Sequence, residues 1–300
     1  MSTLTKVAIA GSTGNLGQAI LKQVVEAGFD VTVLTRSHST HSFPQSVKVA
    51  EVDYESLDSL TNVLRGQDAV ISTIATAALD RQLLLVEAAA KAGVKRFLPS
   101  EFGSDTLHPK TSQLPCYVDK IAVQNALKKE AQASGMTYTF VINGPFFDWG
   151  LRVGFIADVK RRTVPFWDGG DRVFSTTTLA TIGRAVVGVL KHPEETKNRA
   201  VYVQEAAVSS KQILEIGKRA TGSDDWKATP ASLDDFVKKG WEELEKPQPD
   251  PAKFVMNFIT ASIWGREYGG KFEKLDNELL GIEEMDEEGI ECLIKQLASE

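Results

Sequence analysis

Two hydrophobic periods alternate along the first half of the chain. Six short runs of apolar and β-branched residues read as strands: "KVAIAG" from Lys6, "DVTVLT" from Asp30, "SVKVAEV" from Ser46, "DAVISTI" from Asp68, "KRFLPS" from Lys95 and "TYTFVI" from Thr137. "DVTVLT" is apolar in the manner of strands covered on both faces. Between the runs the spacing becomes helical. Leu16, Ile20, Val24 and Ala27 recur on one face, and Gly28 closes the segment. "SLDSLTNVL" reads as a helix capped by Ser56 or Asp58 and closed by Gly66. Leu79, Leu83, Val86 and Ala90 predict one buried helix face ending at Gly93, and residues 117–134 predict a helix closed by Gly135. Six or seven strands with helices between them predict an α/β fold built on a doubly wound parallel sheet.

After Gly144 the alternation stops. "PFFDWGLRVGF" and "RRTVPFWDGGDRVF" are rich in turn residues and aromatics. "TTTLATIGRAVVGVL" predicts a capped helix, "AVYVQ" a strand, and "SSKQILEIGKRATG" and "ASLDDFVKKGWEEL" amphipathic helices. "EKPQPDPAK" reads as a proline-rich linker, followed by apolar "FVMNFITASIW" and an acidic helix near 284–298. The expected organisation is a nucleotide-binding domain over residues 1–150 and a smaller α+β substrate-binding cap over 151–300, with segments near 174–205 returning to the first.

Composition narrows the classes. The chain has 300 residues, 42% hydrophobic and 25% charged, which suits a globular protein with a sizeable core. A net charge of −6 argues against a general nucleic-acid binder, which needs clustered Lys and Arg. No apolar run approaches the roughly 18 residues of a membrane span, and the N-terminal stretch lacks a basic region followed by a long apolar core. Cys116 and Cys292 are too few for a disulfide framework and read as ordinary thiols, so the cytoplasm is the expected location.

The chemistry concentrates at "GSTGNLG". Gly11, Gly14 and Gly17 stand between the first strand and the first helix, with Ser12, Thr13, Asn15 and Leu16 completing the turn. There Gly11 permits a tight turn, Gly14 lets backbone approach a pyrophosphate, and Gly17 allows close helix–strand packing. The helix N-terminus adds free N–H groups and partial positive charge. The spacing, G-x-x-G-x-x-G, differs by one residue from the commonest dinucleotide fingerprint. Arg36 ends the second strand, where an acid would accept from the ribose 2′-OH of NAD; an arginine suits a 2′-phosphate and points to NADP. Ser37 and His38 add donors beside it.

"VAIAGSTGNLG", "VLTR", "RFLPSEFGSD", the lysine of "YVDKIAVQNAL" and "VINGPFFDWG", taken in order, resemble the isoflavone-reductase-like branch of the NmrA-like family. These proteins are atypical short-chain dehydrogenase/reductases with an NAD(P)-binding Rossmann fold. The resemblance covers residues 6–150 well and continues with falling specificity through "VYVQEAAVSSKQIL". It implies that Lys120 is the site lysine, placed to bond the nicotinamide ribose or to polarise or protonate a substrate oxygen. Tyr117 precedes it with Tyr-x-x-Lys spacing, one residue shorter than the dyad of ordinary short-chain dehydrogenases, so catalysis and pocket packing both stay open for Tyr117. Ser100, Glu101 and Gly103 follow the fifth strand, Thr73 and Ile74 end the fourth, and Asn143, Gly144 and Phe146 end the sixth; all belong where such sheets bind ligands. Glu101 is a further catalytic candidate. Phe146, Phe147, Trp149, Phe166, Trp167 and Trp264 are candidates for an apolar substrate cleft, with some of them core. Four histidines without ligand spacing argue against a metal site.

The expected function is an NADPH-dependent reductase of a small aromatic or conjugated metabolite, reducing C=C, C=O or C=N in secondary metabolism, as monomer or homodimer. Two alternatives stay open: an NADP-binding sensor without turnover, and an enzyme using the cofactor for non-redox chemistry such as cyclisation.

Overall fold

The computed structural model describes residues 3–36 and 41–300. In chain order, β1 (Lys6–Ala10), α1 (Asn15–Glu26), β2 (Asp30–Thr35), β3 (Lys48–Glu51), α2 (Leu57–Leu64), β4 (Ala69–Ser72), α3 (Gln82–Ala92), β5 (Arg96–Leu98), α4 (Val118–Ala133) and β6 (Thr137–Ile142) form the first half. Then come α5 (Phe147–Arg152), β7 (Thr163–Trp167), β8 (Val173–Thr176), α6 (Leu179–Lys191), β9 (Arg199–Tyr202), β10 (Ala206–Ser209), α7 (Ser210–Thr221), β11 (Lys227–Ala231), α8 (Leu233–Leu244), α9 (Pro251–Trp264), α10 (Asn277–Leu280) and α11 (Glu287–Ser299).

The main sheet has seven parallel strands in the order β3-β2-β1-β4-β5-β6-β9. Its first six follow the 3-2-1-4-5-6 order of the doubly wound Rossmann sheet. The first half therefore supplies six strands, and the seventh comes from residues 199–202, paired in register with Thr139–Ile142. α1, α6 and α10 cover one face, around Ile9, Ile20, Val33 and Ile182; α2, α3 and α4 cover the other, around Leu60, Phe97, Leu127 and Phe140.

A third core, around Phe147, Phe174, Ile213, Trp264 and Ile294, holds α5, α7, α9 and α11 with two two-stranded sheets: β10 pairs antiparallel with β8, and β11 parallel with β7. The turn-rich reading of "PFFDWGLRVGF" gives way to a short helix, α5, whose Phe147 and Leu151 are buried in this core. "FVMNFITASIW" is helical in α9, where only part of its surface is covered.

The face of α3 also differs from expectation. The helix begins at Gln82, and its buried row is Gln82, Leu85, Val86, Ala88 and Ala89, whereas Leu83 is 41% exposed and Leu79 precedes the helix. A polar contact sets this rotation: the Gln82 side-chain oxygen accepts from the Ser100 N–H at 2.9 Å, drawing position 82 inward. An apolar-only period cannot detect a buried glutamine.

Two polar clamps hold the amino-terminal edge of the sheet. Asp68 accepts from the N–H groups of Thr5 and Lys6, the Thr5 hydroxyl and Lys95 Nζ. Arg96 is 2% exposed and donates to the hydroxyls of Thr137, Thr139 and Thr196 and to the Pro193 carbonyl, tying β5, β6 and the approach to β9.

Candidate functional site

Every strand end in a parallel sheet points the same way, so the turns after β1, β4, β5 and β6 share one rim. The glycine turn opens it. Gly11 has φ +84°, and a Cβ there would lie 2.6 Å from the Thr73 carbonyl oxygen; a Cβ at Gly17 would lie 2.2 Å from the Gly11 oxygen. Both positions are closed to side chains by the fold itself. Gly14 differs: it is exposed, caps α1 with φ −75°, and a Cβ would meet nothing nearer than the Gly11 oxygen at 3.7 Å.

Gly14 has no side chain with which to cap α1, and among the described residues no side chain accepts from its first N–H groups. Ser12 is 1% exposed, and its Oγ has no partner among the described residues. Gln18 holds the Thr13 carbonyl at 2.8 Å, fixing the turn from its far side. Asn15 is exposed and Leu16 partly buried at the start of α1.

Neighbouring strand ends are stitched to the turn. Thr73 donates from its N–H and its hydroxyl to the Ala10 carbonyl, at 2.8 and 2.9 Å. Ser100 Oγ donates to the Ile74 carbonyl at 2.9 Å, joining the ends of β4 and β5. The N–H groups of Asn143 and Gly144 donate to the Gly103 carbonyl, joining β5 to β6. Ser72, at the end of β4, is a further fully buried hydroxyl without a described partner, and no motif announced it.

Asn143 is completely buried. Its Nδ2 donates to the Gly144 carbonyl at 2.7 Å, which fixes the amide orientation and leaves Oδ1 without a described donor. Gly144, at φ +67°, lies so close to the Ser175 carbonyl that any Cβ would collide with it.

Arg36 is exposed at the end of β2. Tyr54 lies beside it, with its hydroxyl donating to the Leu34 carbonyl at 3.3 Å; burial pushes the phenol up to about 12, against the pull of the Arg36 charge. Ser37 and His38 lie outside the described residues.

The lysine side of the rim is built from side chains. Lys120, in the first turn of α4, donates through Nζ to the Glu101 backbone carbonyl, and its amine stands 5.7 Å above the centre of the Tyr117 ring. A Cβ at Gly103 would be 3.9 Å from that amine. Burial pushes the Lys120 ammonium below its ordinary value, and the charges of Glu101 and Cys116 oppose the shift. Glu101 is 1% exposed; Thr106 Oγ1 and Gln124 Nε2 donate to its carboxylate, and burial raises its pKa against the Lys120 charge.

Tyr117 is buried, its hydroxyl 2.8 Å from Ser262 Oγ on α9, and burial pushes its pKa upward. Asp119 is exposed. Cys116 is a partly buried thiol pushed up to about 12 by burial, and Cys292 is exposed; both are free.

The structure thus brings Lys120, Glu101 and Tyr117 together, with Gly11–Gly17, Thr73, Ile74, Ser100, Asn143 and Gly144 along the same rim. Of the aromatic candidates, Phe147 and Trp264 are core, while Phe146, Trp149, Phe166 and Trp167 are partly buried; Phe146 and Trp149 meet edge to face. Sequence reasoning missed Thr106, Gln124, Ser104 and Ser262. Gln124 was detectable as the i+4 neighbour of Lys120 on a helix; nothing local marks Ser262. A cavity of about 710 Å³ between α8 and α9 is lined by Leu233, Val237, Trp241 and Tyr268, with Lys110 and Arg172 at its rim; Lys120 and Glu101 are not among its lining residues. Among the described residues no cluster of three His, Cys, Asp or Glu could hold a metal ion, and no helix is long and apolar enough to cross a membrane.

Known proteins share this fold. The crystal structure of isoflavone reductase superposes with a TM-score of 0.75 at 19% identity, covering 96% of this chain and 98% of the other. AtPrR2, solved with NADP+ and (+)-pinoresinol, gives a TM-score of 0.74 at 20% identity, covering 100% and 99%. Both likenesses concern the fold. Oxidoreductase aprR of Aspergillus flavus is 34% identical over 287 residues, spanning 92% of this chain and 94% of the relative. The model of the NmrA-like family matches residues 3–227, and with that match the rim, the sheet order and the sequence agree: the chain belongs to the NmrA-like family.

Proposed function

We propose that the protein is an NADPH-dependent reductase of a small aromatic or conjugated metabolite. The observation that carries this reading is the partly buried Lys120 amine, held on the same rim as an uncapped helix N-terminus and its glycine turn. The residues present fit the dinucleotide. Free N–H groups of α1 and the unpartnered Ser12 Oγ offer donors to a pyrophosphate, and Gly14 leaves the approach open. Arg36, exposed at the end of β2, suits a 2′-phosphate. Asn143 Oδ1 offers an acceptor to a buried N–H at the end of β6. Two named proteins lend support: aprR is called an oxidoreductase, and AtPrR2 was solved with NADP+ and (+)-pinoresinol.

When bound, NADPH supplies the hydride. The chain's own residues orient and protonate. Lys120 Nζ, pushed by burial toward easier proton release, donates a hydrogen bond or a proton to a substrate oxygen or nitrogen. The Glu101 carbonyl keeps the amine in place, and the bonds from Thr106 and Gln124 keep the Glu101 loop rigid. Phe146 and Trp149 offer apolar surface for an aromatic substrate.

The test is an NADPH-oxidation screen over aromatic enones, imines and ketones, preceded by mass spectrometry of co-purified ligands. Oxidation dependent on one of these classes is the expected result. Tight NADPH binding with no oxidation across the panel overturns the reductase reading in favour of a sensor or a non-redox enzyme.

A further inference from the structure

Ser262 lies on α9, 145 residues from Tyr117 in sequence, and is completely buried. Its hydroxyl has three neighbours: the Ile259 carbonyl at 2.7 Å, Tyr117 OH at 2.8 Å and Ser104 Oγ at 2.8 Å. A serine hydroxyl has one proton and two acceptor lone pairs. The Ile259 carbonyl has no proton to give, so the Ser262 proton goes there. Ser262 must then accept from both Tyr117 and Ser104. The direction of every bond in the chain follows from this one constraint. The Tyr117 proton is donated into α9, and the edge of its ring is pinned.

Over the face of that ring stands the Lys120 amine, within the roughly 6 Å at which a cation is attracted by an aromatic face. The other contact of the amine is the Glu101 carbonyl, on the loop that also carries Ser104. Both supports of the lysine are therefore fastened to Ser262, one through Tyr117 and one through the Ser104 loop.

We propose that Ser262 is a positioning residue for Lys120: by accepting hydrogen bonds from Tyr117 and Ser104 it holds the ring face and the loop between which the lysine amine sits. The third core, through α9, thereby takes part in placing a group of the sheet rim. The inference rests on the reading of Lys120 as the proton-bearing amine of a reductase. The ionisable groups facing that amine are Glu101 and Tyr117 on either side and Cys116 in the preceding turn.

The test reads the amine directly. Lys120 acetylation by an amine-reactive acetyl ester is followed by peptide mass spectrometry from pH 6 to 11 in the full-length protein, giving an apparent titration midpoint. A pinned ring favours the ammonium, so Ser262→Ala and Tyr117→Phe should each lower the midpoint by roughly half a pH unit or more. Ser262→Thr, which keeps the hydroxyl, should retain the wild-type value. A midpoint that is unchanged or raised in Tyr117→Phe, which loses one oxygen and keeps the ring, overturns the proposal even where Ser262→Ala fails to fold. Acetylation needs no turnover, so absence of NADPH oxidation would sink the reductase reading and leave this result standing. If oxidation is found, Ser262→Ala should lower kcat and leave the KM for NADPH within about twofold, since the glycine turn and Arg36 are untouched.

Discussion

The two ends of the rim are built by different means. At the glycine turn, geometry is set by backbone against backbone: Gly11 against Thr73, Gly17 against Gly11, all within one strand–turn–helix unit and its neighbour strand. At the lysine end it is set by side chains drawn from three segments, with Glu101 and Ser104 from one loop, Tyr117, Lys120 and Gln124 from α4 and its preceding turn, and Ser262 from α9. Backbone packing leaves little choice of residue. Side-chain networks can be cut one bond at a time, so their members are separable by mutation.

That difference is broken most severely at the glycines. Gly14→Val should abolish NADPH binding, read by fluorescence titration, while the melting temperature stays within a few degrees, because its Cβ would make only an ordinary van der Waals contact with the Gly11 oxygen at 3.7 Å. Gly17→Val should lower the melting temperature itself, because its Cβ would occupy the place of the Gly11 oxygen. A folded Gly14→Val protein that still binds NADPH would remove the turn from the site.

Lys120→Met comes next. It keeps most of the side-chain volume and removes the proton, so turnover should fall about 10²- to 10⁴-fold in stopped-flow absorbance at the reduced nicotinamide band. NADPH affinity should change far less, since in the proposed reading the phosphates lie at the other end of the rim. Wild-type turnover in this variant would shift attention to Glu101 or Tyr117.

Arg36→Ala should weaken NADPH binding at least about 10-fold in calorimetric titration and leave NADH nearly unchanged, the range expected for one charge-assisted hydrogen bond. Equal losses for both cofactors would place Arg36 elsewhere.

The smallest effect lies at the opposite edge of the sheet. Burial pushes the Asp68 carboxyl upward, but the bonds from Lys95, Lys6 and Thr5 outweigh it and hold the group well below the usual carboxylate range. A carboxyl depressed by folding stabilises the protein fully above its unfolded value near ~4 and loses that contribution as pH falls further. The wild type should therefore melt lower as the pH drops below about 4. Asp68→Asn should lose a few degrees at pH 7, by the scale of roughly 2–4 °C per kcal/mol for chains of this size, and much less than that at acid pH. Parallel acid sensitivity in the two proteins would contradict the assignment.

What could be read from the chain follows the same division. β-branched runs, closing glycines and the G-x-x-G-x-x-G turn are local patterns, and they specified the doubly wound sheet and the Gly11–Gly17 turn. The register of α3 escaped because Gln82, buried for the sake of the Ser100 N–H, carries no apolar signal. α5 and α9 escaped because an aromatic-rich segment gives no clear period. Lys120 was found only through family likeness, and Ser262 has no local signature: its meaning lies in the donors that fold onto it.

The return of β9 has a consequence for dissection of the molecule. The chain leaves the sheet after β6, builds part of the third core, and comes back to pair Arg199–Tyr202 along Thr139–Ile142. A fragment ending near residue 150 would keep the glycine turn but leave β6, with Phe140, Val141 and Ile142 buried in the intact protein, as an open edge. Unpaired, apolar edges recruit strands from other chains. Such a fragment should accumulate as aggregate instead of a working nucleotide-binding module. Extending it through β9 would close the edge, at the expense of carrying a third core, completed by α11, that is cut in two.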